Sequence, residues 1–312
     1  MKRLFITLLA LTAALNLFAQ QEAMYTQHMY NKLAINPAYA GSRTHTSITA
    51  LYRDQWTGFD GAPSTATLNI HGKLKNPKLA LGFQVYNDQL GISNTTGLQA
   101  TYAYRLPMGN GHLSFGISAG FNHYKVSLTE AISIDAGDPT LAENLNLLLP
   151  NVGGGIYYNT PTFYAGVSVP KLIQNELINT DLETSNDVMA QEIRHYNGMI
   201  GGVITLSETV KLRPTALVKY APNAPVQADL SATFLFIERF WVGGTYRTQG
   251  SVDGHIEFQA SRQLRIGYAY DYVINDLGSY TGGSHEILVG FDLNFLSKDR
   301  HVTPRQMTLN YF

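Results

Sequence analysis

From Thr46 onward the sequence keeps alternating between large apolar residues and small or polar ones with a period of two. Ile287, Val289, Phe291, Leu293 and Phe295 interleave with Leu288, Gly290, Asp292 and Asn294. Leu113, Phe115, Ile117, Ala119 and Phe121 do the same with Ser114, Gly116, Ser118, Gly120 and Asn122. A helix, turning about 100° per residue, would scatter both sets around its surface, whereas a strand places each set on its own face. The pattern predicts strands near 46–57, 63–73, 78–88, 94–106, 111–125, 151–159, 162–169, 194–206, 209–220, 226–237, 239–249, 252–262, 264–274 and 284–296. No helical stretch of comparable length accompanies them.

What solvent the two faces meet follows from charge and from the connections. Charged residues make up only 14% of the chain, against roughly a quarter in soluble domains. The polar face carries Gly, Ser, Thr, Ala and Asn with scattered Lys211, Arg213, Lys219, Glu257 and Arg265. A sandwich exposing that face to water would be richer in charge. Counted from the first strand, every second connection is short, as in KNP, MGNG, NTP, SET, IERF and SRQ, while the others run longer, above all 126–151 and 170–193. Long loops on one side and short turns on the other are the habit of outer-membrane barrels. The expected fold is therefore all-β: a transmembrane antiparallel β-barrel of about fourteen strands, with long extracellular loops and short periplasmic turns. Inward Gly, Ala and Ser fit a lumen crowded by folded-in loops.

Residues 1–19, MKRLFITLLALTAALNLFA, combine Lys2 and Arg3 with an apolar run ending at Ala19, and predict a secretory leader cleaved there. No later run of about 18 apolar residues predicts a spanning helix. The division expected is a leader at 1–19, an amino-terminal periplasmic arm or plug at 20–45, the barrel at 46–296 and a periplasmic tail at 297–312, all in a Gram-negative outer membrane with its lipid as one partner. Asn36-Pro37 forces an extended or turning backbone ahead of the first strand. Cysteine is absent, which removes disulfides and thiolate chemistry.

Catalysis finds little support. GISAG at 116–120 matches a nucleophile elbow in letters, but that chemistry needs the serine on a strained strand-to-helix turn, and Ser118 lies inside an alternating strand. Nine His residues occur without H-E-x-x-H spacing, and DAGDP at 135–139 does not meet the calcium-loop pattern. No catalytic, metal or cofactor residue is expected. Lys+Arg 22 against Asp+Glu 23 gives no basic field, so nucleic acid is not an expected partner.

Candidate contacts with other proteins lie in the connections. LAENLNLLL places Leu141, Leu145, Leu147 and Leu148 in an outward loop, either as a short helix capping the mouth or as an apolar docking surface. Trp56 and Phe59 in the first outward connection are either interfacial-belt aromatics or partner anchors. Glu143, Glu176, Asp181, Glu183 and Asp187 would steer a basic partner.

Several stretches carry a family resemblance: YTQHMYNKLAINPAYAGS at 25–42, YRDQWTGFDGAPST at 52–65, LGFQVYNDQLG at 81–91, LPNVGGGIYYNTPTFYAGVSVPKL at 149–172, and the long run 211–247. In this order they resemble the PorP/SprF family of type IX secretion system outer-membrane proteins. Asn36, Pro37, Tyr39, Ala40 and Gly41 match its amino-terminal signature, and Gln55, Trp56, Gly58, Phe59, Gly61 and Pro63 its first outward hairpin. The resemblance implies a non-catalytic barrel that docks a type IX cargo or surface adhesin by its carboxy-terminal domain and meets other secretion or gliding components on the periplasmic side. The competing reading is a diffusion porin for small solutes, whose lumen should be open.

Overall fold

The computed structural model describes residues 24–130, 143–177 and 191–293. Residues 1–19, read from the sequence as a leader, lie outside the described residues, as do Leu141, Asp181, Glu183, Asp187 and residues 297–312. Fifteen strands follow in order: β1 (Thr46–Asp54), β2 (Ser64–Lys73), β3 (Leu79–Leu90), β4 (Ser93–Met108), β5 (Gly111–Val126), β6 (Leu145–Asn159), β7 (Phe163–Val169), β8 (Tyr196–Gly202), β9 (Ile204–Thr205), β10 (Val210–Tyr220), β11 (Gln227–Phe236), β12 (Phe240–Arg247), β13 (Ser251–Gln259), β14 (Leu264–Val273) and β15 (Ser284–Leu293). β8 and β9 are one span interrupted at Val203, so the wall has the fourteen spans that the alternation predicts.

Neighbours in sequence are neighbours in the sheet, all antiparallel. β1 pairs with β15 from Thr46↔Leu293 to Asp54↔His285, and β10 pairs with both β8 and β11, which closes the ring. Closure leaves no full-length edge in the bilayer, where unpaired backbone groups would cost several kcal/mol each. Among the described residues no helix is long and apolar enough to cross a membrane.

Burial is inside out. Ile117, Val167, Ile256 and Ile287 are more than half exposed on the outer face, while Arg53, Arg265, Glu257 and Glu286 are at most 2% exposed on the inner one. Large apolar side chains outside and ionisable ones inside suit a protein whose outer solvent is acyl chain. Phe291 and Asp292 lie on opposite faces as the alternation requires, with the Asp292 carboxylate turned to Arg43 at 3.0 Å.

The amino-terminal segment, read from the sequence as an arm or a plug, occupies the lumen, a space that the small inward residues also suggested for folded-in loops. Residues 25–43 are buried almost throughout, with two short 3-10 turns at Lys32–Ala34 and Pro37–Tyr39. The segment descends the lumen. Thr26 and Gln27 sit at the level of Glu286, near the rim with the long connections, and Arg43 sits at the level of Asp292, near the rim with the short turns. Two wall glycines make room for it: a Cβ on Gly116 would stand 2.2 Å from the Ala38 nitrogen, and one on Gly155 would stand 2.2 Å from Asn36 Oδ1.

Two further readings are corrected. β6 begins at Leu145, six residues before the predicted start, so Leu145, Leu147 and Leu148 form a strand and not a short helix in a loop. Consecutive leucines followed by Pro150 hide the period of two, yet β5 supplies a continuous ladder from Val126↔Leu145 to His112↔Asn159. The division of connection lengths is also incomplete, since β3 and β4 are joined on the long-loop rim by the tight turn 91–92, with Gly91 at φ 54°.

Candidate functional site

Each described candidate occupies a definite place. Asn36, Pro37 and Tyr39 are buried at mid-lumen. Asn36 Nδ2 donates to the carbonyls of Ile156 and Val167 at 3.1 and 3.2 Å, and its Oδ1 accepts from the N–H of Ala38 at 2.9 Å. Proline at the first position of the 3-10 turn costs no hydrogen bond, and the preceding asparagine caps it. Tyr39 meets the Tyr157 ring edge-on, with centroids 5.5 Å apart. These residues hold the plug in place, and an outside partner cannot reach them while it is seated.

Trp56 and Phe59 lie on the long-connection rim. The Trp56 N–H donates to Ser284 Oγ at 3.2 Å, and Thr57 exchanges backbone hydrogen bonds with Gly282 and Gly283 at 2.7 and 2.8 Å. Trp56 is half-buried and Phe59 is 48% exposed at the turn's tip. Leu145, Leu147 and Leu148 stand on β6, a different sector of the same rim. Leu148 points outward and is 65% exposed, while Leu145 and Leu147 share the inner face with Leu149. The structure therefore brings the leucines together, without Trp56 or Asn36.

The plug's upper end is held by a charged chain. Glu286 accepts the backbone N–H groups of Thr26 and Gln27, both at 2.7 Å. Arg53 lies between Glu286 at 3.4 Å and Asp271 at 2.9 Å and also donates to the Thr26 hydroxyl. Arg247 connects Asp271 to Asp229, with 3.0 Å contacts to each. Every member is buried, so loss of one leaves its partner uncompensated in a dry setting. Beside them, burial lowers the pKa of His28 to about 4. Lys32 is likewise pushed well below its ordinary range by burial and by Arg213, Arg43 and Arg265, and its Nζ stands 3.8 Å from the centre of the Tyr164 ring.

Above the plug, at the long-connection rim, a cavity of about 190 Å³ opens between Tyr25 and the walls of β3 to β6. Glu192 organises its far side. Its carboxylate accepts from Asn175 at 2.6 Å, Asn151 at 3.3 Å and Asn122 at 3.5 Å, and Lys171 stands 3.8 Å away. These contacts fold the ends of the β7–β8 connection over the mouth. Tyr86, Gln84, Gln99 and Tyr124 add amides and hydroxyls to a lining that also holds Asp88 and the apolar side chains of Leu90, Leu98, Phe121 and Leu149. Amides and hydroxyls both donate and accept, and the apolar groups beside them accommodate aliphatic side chains, which together suit an extended peptide; among the described residues that line the cavity no nucleophile stands beside a base. Ser118 is 4% exposed and accepts from Gln99 Nε2 at 3.0 Å, an interior wall residue. Among the described residues no group of three metal-ligating side chains forms.

Glu192, Glu286, Asp271 and Arg53 escape the sequence reading as site residues. Charge at inward positions is visible in the alternation, but Arg53 meets Glu286 across 233 residues of chain, a pairing that only closure of the barrel creates.

Comparison with known proteins places this geometry. Residues 17–291 match the family described as type IX secretion system membrane protein PorP/SprF. No curated protein matches the sequence significantly. Among solved structures, the CymD monoaromatic hydrocarbon channel superposes with a TM-score of 0.50 at 11% identity, covering 92% of this chain and 97% of that one. The outer membrane protein Omp33 of Acinetobacter baumannii gives 0.48 at 11% identity, covering 81% and 100%. A FadL homologue of Pseudomonas aeruginosa gives 0.47 at 12% identity, covering 84% and 94%. At such identities the likeness to CymD shows a shared barrel fold and no more.

Proposed function

Because the chain belongs to the PorP/SprF family of type IX secretion system membrane proteins, we propose that this outer-membrane barrel docks a secreted cargo or surface adhesin by its carboxy-terminal domain, without catalysing a reaction. The observation that carries the reading is the stoppered lumen. Residues 25–43 fill it from one rim to the other and are fixed by Glu286, Asn36 and Arg43. A diffusion porin needs a wet, continuous pore, and the buried segment 25–43 stands where such a pore would run.

Recognition then falls to the long-connection rim, taken as extracellular. The amide-lined mouth, the Phe59 turn and the Leu148 edge lie there, with exposed Glu143 as part of an acidic fringe. Apolar anchors supply affinity and the acidic fringe speeds encounter with a basic partner. Other secretion or gliding components would meet the short-turn rim. The test is capture: the full chain in nanodiscs should retain purified carboxy-terminal domains of type IX-secreted proteins and not unrelated β-domains. Failure to retain any of them would remove the reading.

A further inference from the structure

The barrel wall is uneven at its long-connection rim. β6 has 15 residues and β7 only 7, fewer than the roughly 9–11 that a tilted strand needs to cross a bilayer. The β6–β7 ladder stops at Gly154↔Val169, whereas β5 accompanies β6 up to Val126↔Leu145. β3 and β4 reach the same height, ending in the turn at 91–92. A tall sheet of four strands therefore stands above its neighbour, and its side at β6 is an edge.

The direction of the edge's backbone groups follows from one hydrogen bond. The N–H of Leu172, just past β7, donates to the carbonyl of Val152 at 2.8 Å. Even-numbered residues of β6 thus turn their N–H and C=O toward the β7 side, and odd-numbered ones serve the β5 ladder. Pro150 fits this phase, because a proline in a sheet must direct its missing donor to an edge. Its carbonyl is taken by Asn175 Nδ2 at 3.1 Å. One step higher the capping ends. Among the described residues, no backbone group bonds the N–H or C=O of Leu148 or Asn146 on this side.

From this we infer that the upper edge of β6, Asn146 to Leu148, takes an extended strand of the docked protein as an added strand of the barrel sheet. The inference rests on the docking reading and specifies its mode. Main-chain hydrogen bonds would give affinity, while Leu148 on the outer side and Leu147 and Leu149 on the inner side offer contacts to alternate side chains. The occupant comes from another polypeptide of extended, apolar-alternating sequence. The chain's own tail leaves β15 at the opposite rim, where Leu293 pairs with Thr46. The site is also continuous with the mouth cavity, which Leu149 and Asn151 line.

Leu148→Pro separates this mode from ordinary side-chain docking, because it removes only an edge-facing N–H and leaves the β5 ladder intact, as Pro150 already does. Leu148→Thr removes the leucine and keeps the N–H. The probe is a purified carboxy-terminal domain of a type IX-secreted surface protein, measured against the full chain in nanodiscs, with heat-modifiable gel migration reporting the barrel. We expect Leu148→Pro to bind about tenfold more weakly or worse, the loss expected for an unmade backbone hydrogen bond together with the ring's clash. Leu148→Thr gives up the apolar contact but keeps the N–H, so it should bind more weakly than the unmodified chain and clearly more tightly than Leu148→Pro. In hydrogen exchange, the amides of Asn146 and Leu148 should gain protection only when the domain is present. Equal binding by Leu148→Pro, with Glu192→Ala still weakening capture, would overturn strand addition and leave docking standing. Strong protection of both amides in the free chain, or self-association abolished by Leu148→Pro, would show another occupant and overturn it too. No binding by the unmodified chain would remove both readings.

Discussion

Glu286→Ala is the perturbation that most sharply tests how the lumen is closed. The carboxylate accepts two backbone N–H groups at 2.7 Å and faces Arg53 at 3.4 Å, with no exposure to solvent. Hydrogen bonds to a charged group are worth about 1.5–3 kcal/mol each, and breaking a buried ion pair by removing one partner costs about 3–5 kcal/mol. These contributions overlap, since the same oxygens serve both, so about 3–5 kcal/mol is the expected loss at the upper end of the plug. The opening equilibrium of residues 25–31 should rise by roughly 100-fold to 1,000-fold or more. Hydrogen exchange in nanodiscs reads it directly: the amides of Thr26 and Gln27 should exchange faster by that factor, while those of 36–41, held by Asn36 and Arg43, change little. Glu286→Gln keeps an acceptor oxygen and should fall between. Unchanged exchange at Thr26 and Gln27 in the alanine variant would refute the assignment of Glu286 as the latch.

Three other expectations follow. Gly116→Val should displace the turn at Pro37–Ala38, because even a Cβ would lie 2.2 Å from the Ala38 nitrogen; protease cleavage within 36–41 should appear, and resistant protein would contradict the packing. His28 sets a pH dependence: its folded pKa of about 4 lies below the ordinary 6.5, with Asp229, Arg247, Lys219 and His255 as the titratable groups facing it. The released plug takes up the proton more readily, so seating is at full strength above about pH 6.5 and weakens as pH falls toward 4, by about 3 kcal/mol at most. Exchange at residues 25–31 should accelerate over that window, and a His28→Gln variant should flatten the profile. Deletion of 131–142, which spares β6, should reduce capture of a secreted domain without preventing barrel assembly; full capture would retire that connection as a contact.

The strands were readable because period-two alternation and an inside-out barrel make the same demand of each residue. Leu113 to Asn122 and Ile287 to Asp292 show this most plainly. β6 was legible only in its lower half, since LNLLLP at 145–150 lacks alternation and ends in a proline that reads as a breaker. Its strand character comes from β5, a tertiary partner that outweighs local preference. Asn36-Pro37 announced a turn, and the glycines at 116 and 155 announced inward space, but neither states that the one fills the other. The latch was the least accessible part, because Arg53, Asp271 and Glu286 become neighbours only when β14, β15 and β1 close the ring.

Single-channel recording of the purified chain in a planar bilayer bears most directly on the central claim, that the amino-terminal segment seals the lumen and leaves recognition to the rim. The seated plug predicts a closed baseline for the unmodified chain and large, steady openings once residues 24–41 are removed. A stable, large conductance in the unmodified chain would contradict the claim and restore the porin reading.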